Sequence, residues 1–394
     1  NTSMSSATLE KTEKPTANGI PAVSAAPFSP PATAPAKRPA AAKTILLGFD
    51  LGTNKSCILA GAAGSTDIVL SKVIPSVVGY VKEGIVEGII TDNATQLFGE
   101  DALRNHLHVN LVPPLANGVV AHPEAARDLF RHIRQLVDPS GQAELRAVIG
   151  VPANADASAR EEIRHCAQGI FDRLLLIPEP FLAALGFRDD ARVGQAGYAD
   201  PVINSLFIDI GGGTSDLCLV QGYFPGPDDQ ASIPFAGDAI DALIQSDLDR
   251  TYPNNGLSRQ KVRELKEAHS YVGAIRKPLD VKVVIGGKGH SLELGETIGN
   301  ACNALIDKIY PALTTLIARA SSDSVLALLQ NIVVTGGGSQ IKGIDTLLQQ
   351  RLADDGFESP RVRVAGQDYK RYVAMGALKA ARAARENQWQ HLLA

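Results

Sequence analysis

Two short stretches of this sequence carry a carboxylate, glycine and threonine in the same order. The first is "GFDLGTNKS", Gly48 to Ser56, and the second is "DIGGGTSD", Asp209 to Asp216. Each interrupts an apolar run, so each reads as a strand that turns tightly into another strand. Glycine inside a strand weakens it and buries nothing, so the bare backbone needs another use. Amides without neighbouring side chains can converge on phosphate oxygens, and threonine hydroxyls add donors. On that chemistry Gly52, Thr53 and Asn54, with Gly211, Gly212, Gly213 and Thr214, are candidate phosphate contacts. Asp50 and Asp209 would repel phosphate directly. They fit a Mg²⁺ held through water, since Mg²⁺ keeps several waters when bound.

Either stretch alone is also what an ordinary tight strand connection looks like. Two copies with their aspartates 159 residues apart, each flanked by strands, are a much stronger signal. A third loop, "VVTGGGSQIKG" from Val333 to Gly343, follows a strand and opens a helix. There Gly336, Gly337, Gly338 and Ser339 suit close approach to the nucleoside side of a ligand. The loop lacks G-x-G-x-x-G with an acidic residue about 20 positions on, and it lacks the Lys-Ser/Thr of a Walker loop.

The elements that must hold these loops are legible as an α/β pattern with an internal repeat. "LRAVIGVP" and "RLLLIPEP" read as buried strands, and "HPEAARDLFRHIRQLV" and "DASAREEIRHCAQGIF" as helices. "DALRNHLHVNLV" also has helical spacing. "RDDARVGQAGYADPVIN" is polar and reads as a connection between halves. "AGDAIDALIQSDLDRTY" and "SRQKVRELKEAHSYVGAI" are helical, and "DVKVVIGGKGHSLELG" is a hairpin. "ETIGNACNALIDKIYPALTTLIARAS" is one long helix or two, and "YVAMGALKAARAARE" closes as a helix.

Net charge is −4, which does not suggest nucleic-acid binding. Cys57, Cys166, Cys218 and Cys302 lie far apart in apolar surroundings and read as free buried thiols in a reducing compartment. His106 and His108 are too few for a metal site and read as surface histidines. No apolar run approaches the roughly 20 residues of a membrane span, so a cytoplasmic protein without membrane insertion is expected. Residues 1–43 hold 7 of the 23 prolines and read as a disordered tail.

The three loops resemble the phosphate-1, phosphate-2 and adenosine motifs of the superfamily of actin, heat-shock chaperone ATPases and sugar kinases. They correspond to Asp50–Ser56, Asp209–Asp216 and Thr335–Ser339, within a likeness running from about Lys43 to Ala394. "PSVVGY", "PLANGVVAH", "AVIGVPA", "PEPFLAA" and "FAGDAID" resemble bacterial actins of the MreB type. "AVIGVPANADASA", "VQGYFPGPDDQ", "LLQNIVVTGGGSQIKGI" and "NQWQHLL" are similar to the magnetosome branch of those actins.

The resemblance implies an actin-like fold of two lobes, each a five-stranded mixed sheet with flanking helices around a nucleotide cleft. The lobes would span 44–198, with a small subdomain near 71–112, and 199–365, with another near 237–294. Residues 366–394 would return to the first lobe. It also implies ATP or ADP with Mg²⁺ in the cleft. Asp50 and Asp209 would hold the metal through water, and Asp209 would help order the attacking water. Glu179, in "LLIPEPFLAALGF", would orient that water, although an acid in a helix's first turn is more commonly a capping residue. Lys266 would lie by the adenosine, with Arg263 standing where MreB-type proteins carry glutamate.

The implied function is a self-assembling ATPase filament that aligns magnetosomes together with magnetosome-associated proteins. A cell-shape actin, a small-molecule kinase of the same fold and a slowly hydrolysing structural polymer are the alternatives. A chaperone ATPase is disfavoured, because a large peptide-binding region would follow.

Overall fold

The structure, a computed structural model, describes residues 43–153 and 155–392. The expected tail therefore lies outside the described residues except for Lys43. Thr44–Asp50 and Lys55–Ala62 form an antiparallel hairpin with Asp50 opposite Cys57. Leu70–Pro75 extends it on one side, antiparallel to Lys55–Ala62. On the other side Glu144–Val151 and Arg173–Pro178 run parallel to Thr44–Asp50. These parallel strands are covered on both faces, which is why their sequences are near-continuous apolar runs.

The second sheet repeats this plan. Ser205–Ile210 and Ser215–Val220 form the hairpin, with Asp209 opposite Asp216. Gln230–Ile233 extends it antiparallel, while Ile332–Thr335 and Val362–Val364 run parallel on the far side. The repeated sequence pattern is thus a repeated sheet.

Two helices, Glu179–Phe187 and Tyr369–Ala383, share one core with residues of both sheets, among them Leu59 and Val148 of the first and Phe207 and Val333 of the second. Their crossing is close. A Cβ at Gly186 would overlap the Tyr372 backbone, and one at Gly376 would overlap the Leu182 carbonyl. Gly237–Thr251, Arg259–His269 and Gly295–Ile317 belong with the second sheet's other core, which includes Ile244, Val262 and Leu305.

Three details differ from the sequence reading or decide it. "DALRNHLHVNLV" is not one helix: the helix Gly99–Arg104 ends early, and Val109–Val112 pairs as a strand with Val78–Val81. Period alone did not separate a short helix from the strand after it. Gly295–Ile317 is one helix despite Pro311. The first sheet gains a sixth strand, Gln390–His391, which pairs with Arg173 and Leu174 beside a buried Trp389. Two residues are too few to carry a strand period.

Candidate functional site

The carboxyl ends of the parallel strands meet at one place. Asp50 ends its strand, Glu179 follows Pro178, Asp209 is next to last in its strand, and Gly336 follows Thr335. Ligands of open α/β sheets bind at such strand ends. A cavity of about 410 Å³ lies there, walled by both hairpin turns, Glu179, Lys266 and Gly336–Gly338.

The first turn is pinned from outside. Ser76 Oγ donates to the Gly52 carbonyl at 2.6 Å. Thr53 Oγ1 accepts the Gly118 amide at 3.0 Å, which leaves its own proton free to donate. Asn54 Nδ2 reaches across to Asp238 Oδ1 at 3.0 Å.

In the second turn, none of Gly211, Gly212 and Gly213 is in the left-handed backbone region. Proximity requires two of them instead. A Cβ at Gly212 would overlap the Asn54 side-chain amide, and one at Gly213 would overlap the Asn117 backbone. The Gly211 and Gly212 carbonyls accept the amides of Gly237 and Asp238, at 3.2 and 2.8 Å, so the Gly237–Thr251 helix starts against this turn. Thr214 lines the cavity, but its hydroxyl donates to Asp216 Oδ2 at 2.8 Å.

The third loop divides its glycines differently. Gly336 has φ +74°, and a Cβ there would overlap the Asp209 carboxylate. Gly338 lies against Ile210, whereas Gly337 faces open space. Ser339 is the expected site residue that does not line the cavity. It is buried, and its hydroxyl donates to the Gly336 carbonyl at 2.7 Å, bracing the loop.

Asp50, Glu179 and Asp209 all line the cavity, and among the described residues none of the three is in an ion pair. Burial pushes Asp209 up to about 7, with Asp216 adding to the effect. Burial raises Asp50 well above the usual carboxylate range, and Asp209 adds to it. Burial does the same to Glu179, with Asp50, Asp216 and Asp209 adding repulsion. Such a set favours an added cation or retained protons. Among the described residues no group of His, Cys, Asp or Glu is arranged to hold a metal by itself.

Asp216, which the sequence left without a chemical role, is a brace. Its carboxylate accepts the Ala153 amide at 3.1 Å as well as the Thr214 hydroxyl.

Lys266, which also lines the cavity, pairs its Nζ with Asp241 Oδ1 at 2.6 Å and donates to the Gly237 carbonyl at 2.8 Å. Arg263, Glu267, Tyr369 and Lys370 also line the cavity. Tyr369 and Lys370 open the closing helix, and no sequence motif singled them out. Their only prior signal was the position of that helix. The four cysteines are free and buried, as expected.

The MreB/Mbl protein family matches residues 44–387. The chain belongs to this family. This MreB/Mbl chain is 29% identical over 313 residues to the actin-like protein MamK of Paramagnetospirillum magneticum, covering 78% of this chain and 84% of that protein. A MamK double helical filament superposes with a TM-score of 0.76 at 28% identity, covering 87% of this chain and 100% of that one. A non-polymerising MamK mutant bound to AMPPNP superposes with a TM-score of 0.61 at 29% identity, covering 86% and 99%. The fold is that of the bacterial actins, with the cavity between its paired hairpins.

Proposed function

We propose that this MreB/Mbl protein binds ATP between the two hairpins, hydrolyses it to ADP, and assembles with copies of itself into a filament. The observation that carries the reading is the cavity itself. Two glycine turns, a set of buried carboxylates with raised pKa values and the cations Lys55, Arg263, Lys266 and Lys370 are gathered where a nucleotide-bound relative has the same fold. Gly52, Thr53, Asn54, Gly211, Gly212 and Gly213 serve the phosphates. Thr214 serves them through its backbone amide, its hydroxyl proton being directed to Asp216. Gly336–Gly338 and Lys266 serve the nucleoside.

The donor set fits Mg²⁺ held through water by Asp50 and Asp209. When bound, that ion would neutralise charge on the phosphates. Glu179, whose pKa is raised first by burial and then by its acidic neighbours, would have to be in its charged form. Its carboxylate then takes a proton from the attacking water as general base, and Asp209 helps hold that water. Repeated head-to-tail contacts that do not close produce an open filament.

The relatives' names, an actin-like protein and a double helical filament, support self-assembly; a cytoplasmic cytoskeletal role in which the filaments align and position magnetosomes, with magnetosome-associated proteins as partners, is our reading from the sequence resemblance. We read the two sheets with their helices as lobes spanning 44–198 and 199–365, with 366–394 returning to the first. The test is sedimentation with ATP, ADP or no nucleotide, with phosphate release followed in parallel. ATP-dependent pelleting with phosphate release is expected. Monomers at every protein and salt concentration would overturn the filament reading. Turnover only on adding a sugar or acid substrate would turn it toward a kinase.

A further inference from the structure

One carboxylate behind the cavity wall ties the first hairpin turn to the Arg259–His269 helix. Asp238 Oδ1 accepts Asn54 Nδ2 at 3.0 Å and Arg263 Nη2 at 2.8 Å. Asn54 belongs to the first hairpin turn and lies over Gly212, at the phosphate end. Arg263 belongs to the Arg259–His269 helix and lines the cavity with Lys266, the residue that the functional reading gives to the nucleoside. Its Nε also donates to Asp241 Oδ2 at 3.1 Å, and Asp241 pairs with Lys266. Asp238 is itself fixed, because its amide donates to the Gly212 carbonyl at 2.8 Å. Asp238 and Asp241 do not line the cavity, whereas Asn54, Arg263 and Lys266 do.

We propose that Asp238 is a positioning residue that couples recognition of the phosphates to recognition of the nucleoside, acting through Asn54 on one side and Arg263 on the other. The proposal rests on the ATP-binding reading above. The physical reason is that both donors share one acceptor oxygen. A charged acceptor makes stronger hydrogen bonds than a neutral one. Fixing Asp238 with one donor therefore prepares it for the other, and a ligand that orders one end meets the other end already set. Arginine at position 263 makes this possible, because an acidic side chain there would repel Asp238.

The test is a double-mutant cycle on ATP affinity in the full chain, at protein concentrations too low for pelleting. Asn54→Ala and Arg263→Ala remove the two donors. In the wild-type background their effects on Kd should depart from additivity by about tenfold, a range typical of groups within one network. In the Asp238→Ala background they should be additive, and Asp238→Asn, which keeps an acceptor oxygen, should restore part of the coupling. Thermal midpoints are measured for each variant. Additive losses in wild type, or coupling that persists in Asp238→Ala, would overturn the proposal while leaving ATP binding intact. A wild-type protein that does not bind ATP would overturn the functional reading and this proposal with it.

Discussion

The third loop allows a separation of folding from binding within adjacent glycines. At Gly336 the backbone has φ +74°, and a Cβ would overlap the Asp209 carboxylate and the Ile210 carbonyl. Left-handed backbone costs an L-residue about 1–2 kcal/mol, and the collision with backbone adds to it. Gly336→Ala should therefore destabilise the protein by more than about 2 kcal/mol. Gly337 meets nothing within 4 Å, and it lines the cavity. Gly337→Val should leave unliganded stability within about 0.5 kcal/mol of wild type. With a nucleoside in place, the same valine is surplus volume in a packed site. Overpacking costs about 1–3 kcal/mol, equivalent to a rise in Kd of roughly 5- to 150-fold. Urea unfolding gives the first number, and titration with ATP under non-assembling conditions gives the second. A stable Gly337→Val protein that binds ATP with wild-type affinity would falsify the assignment of this wall to the nucleoside.

The carboxylate set predicts how unliganded stability depends on pH. Because Asp209 is raised from 3.8 to about 7, the native state holds a proton that the unfolded state has lost over that window. Its contribution is complete below the unfolded value and is lost as pH rises through about 7, with a slope of at most about 1.4 kcal/mol per pH unit for one group. Asp50 and Glu179 shift the same way, so the midpoint should fall toward neutral pH and recover when Mg²⁺ and nucleotide are added. A midpoint that rises over this window would contradict the burial argument. Glu179→Gln should lower phosphate release by about 10²- to 10⁴-fold with ATP affinity nearly unchanged, and unaltered turnover would remove Glu179 from the chemistry. Gly212→Val should push the Asn54 amide off Asp238, at a stability cost of about 0.5–1.5 kcal/mol, and weaken ATP binding by more. Unfolding in this variant, with normal ATP binding by Gly212→Ala, would mean the glycine serves only the turn.

The sequence by itself determined the local pieces. Strand, turn and helix signals are short-range, so both hairpins, the third glycine loop and the helices around Glu179 and Lys266 could be read from periodicity and turn residues. The repeated order of Asp, Gly and Thr announced a repeated sheet. Where two local signals overlap, as in Asp101–Val112, or where a strand is only two residues long, as in Gln390–His391, periodicity had too little to work on.

Tertiary structure alone decided what each residue is for. Among the three central glycines, none has a left-handed φ, and Gly212 and Gly213 also leave room for Asn54 and Asn117, which the sequence did not show. Ser339 reads as a contact but is turned inward to its own loop. Asp216, whose role was open, holds Thr214 and Ala153. Asp238 drew no attention as one acid among many, yet it receives donors from residues 184 and 25 positions away. Spacing along a chain reports what an element can form. Which oxygen meets which donor across a cleft depends on how two sheets pack around the helices between them, and no local pattern encodes that.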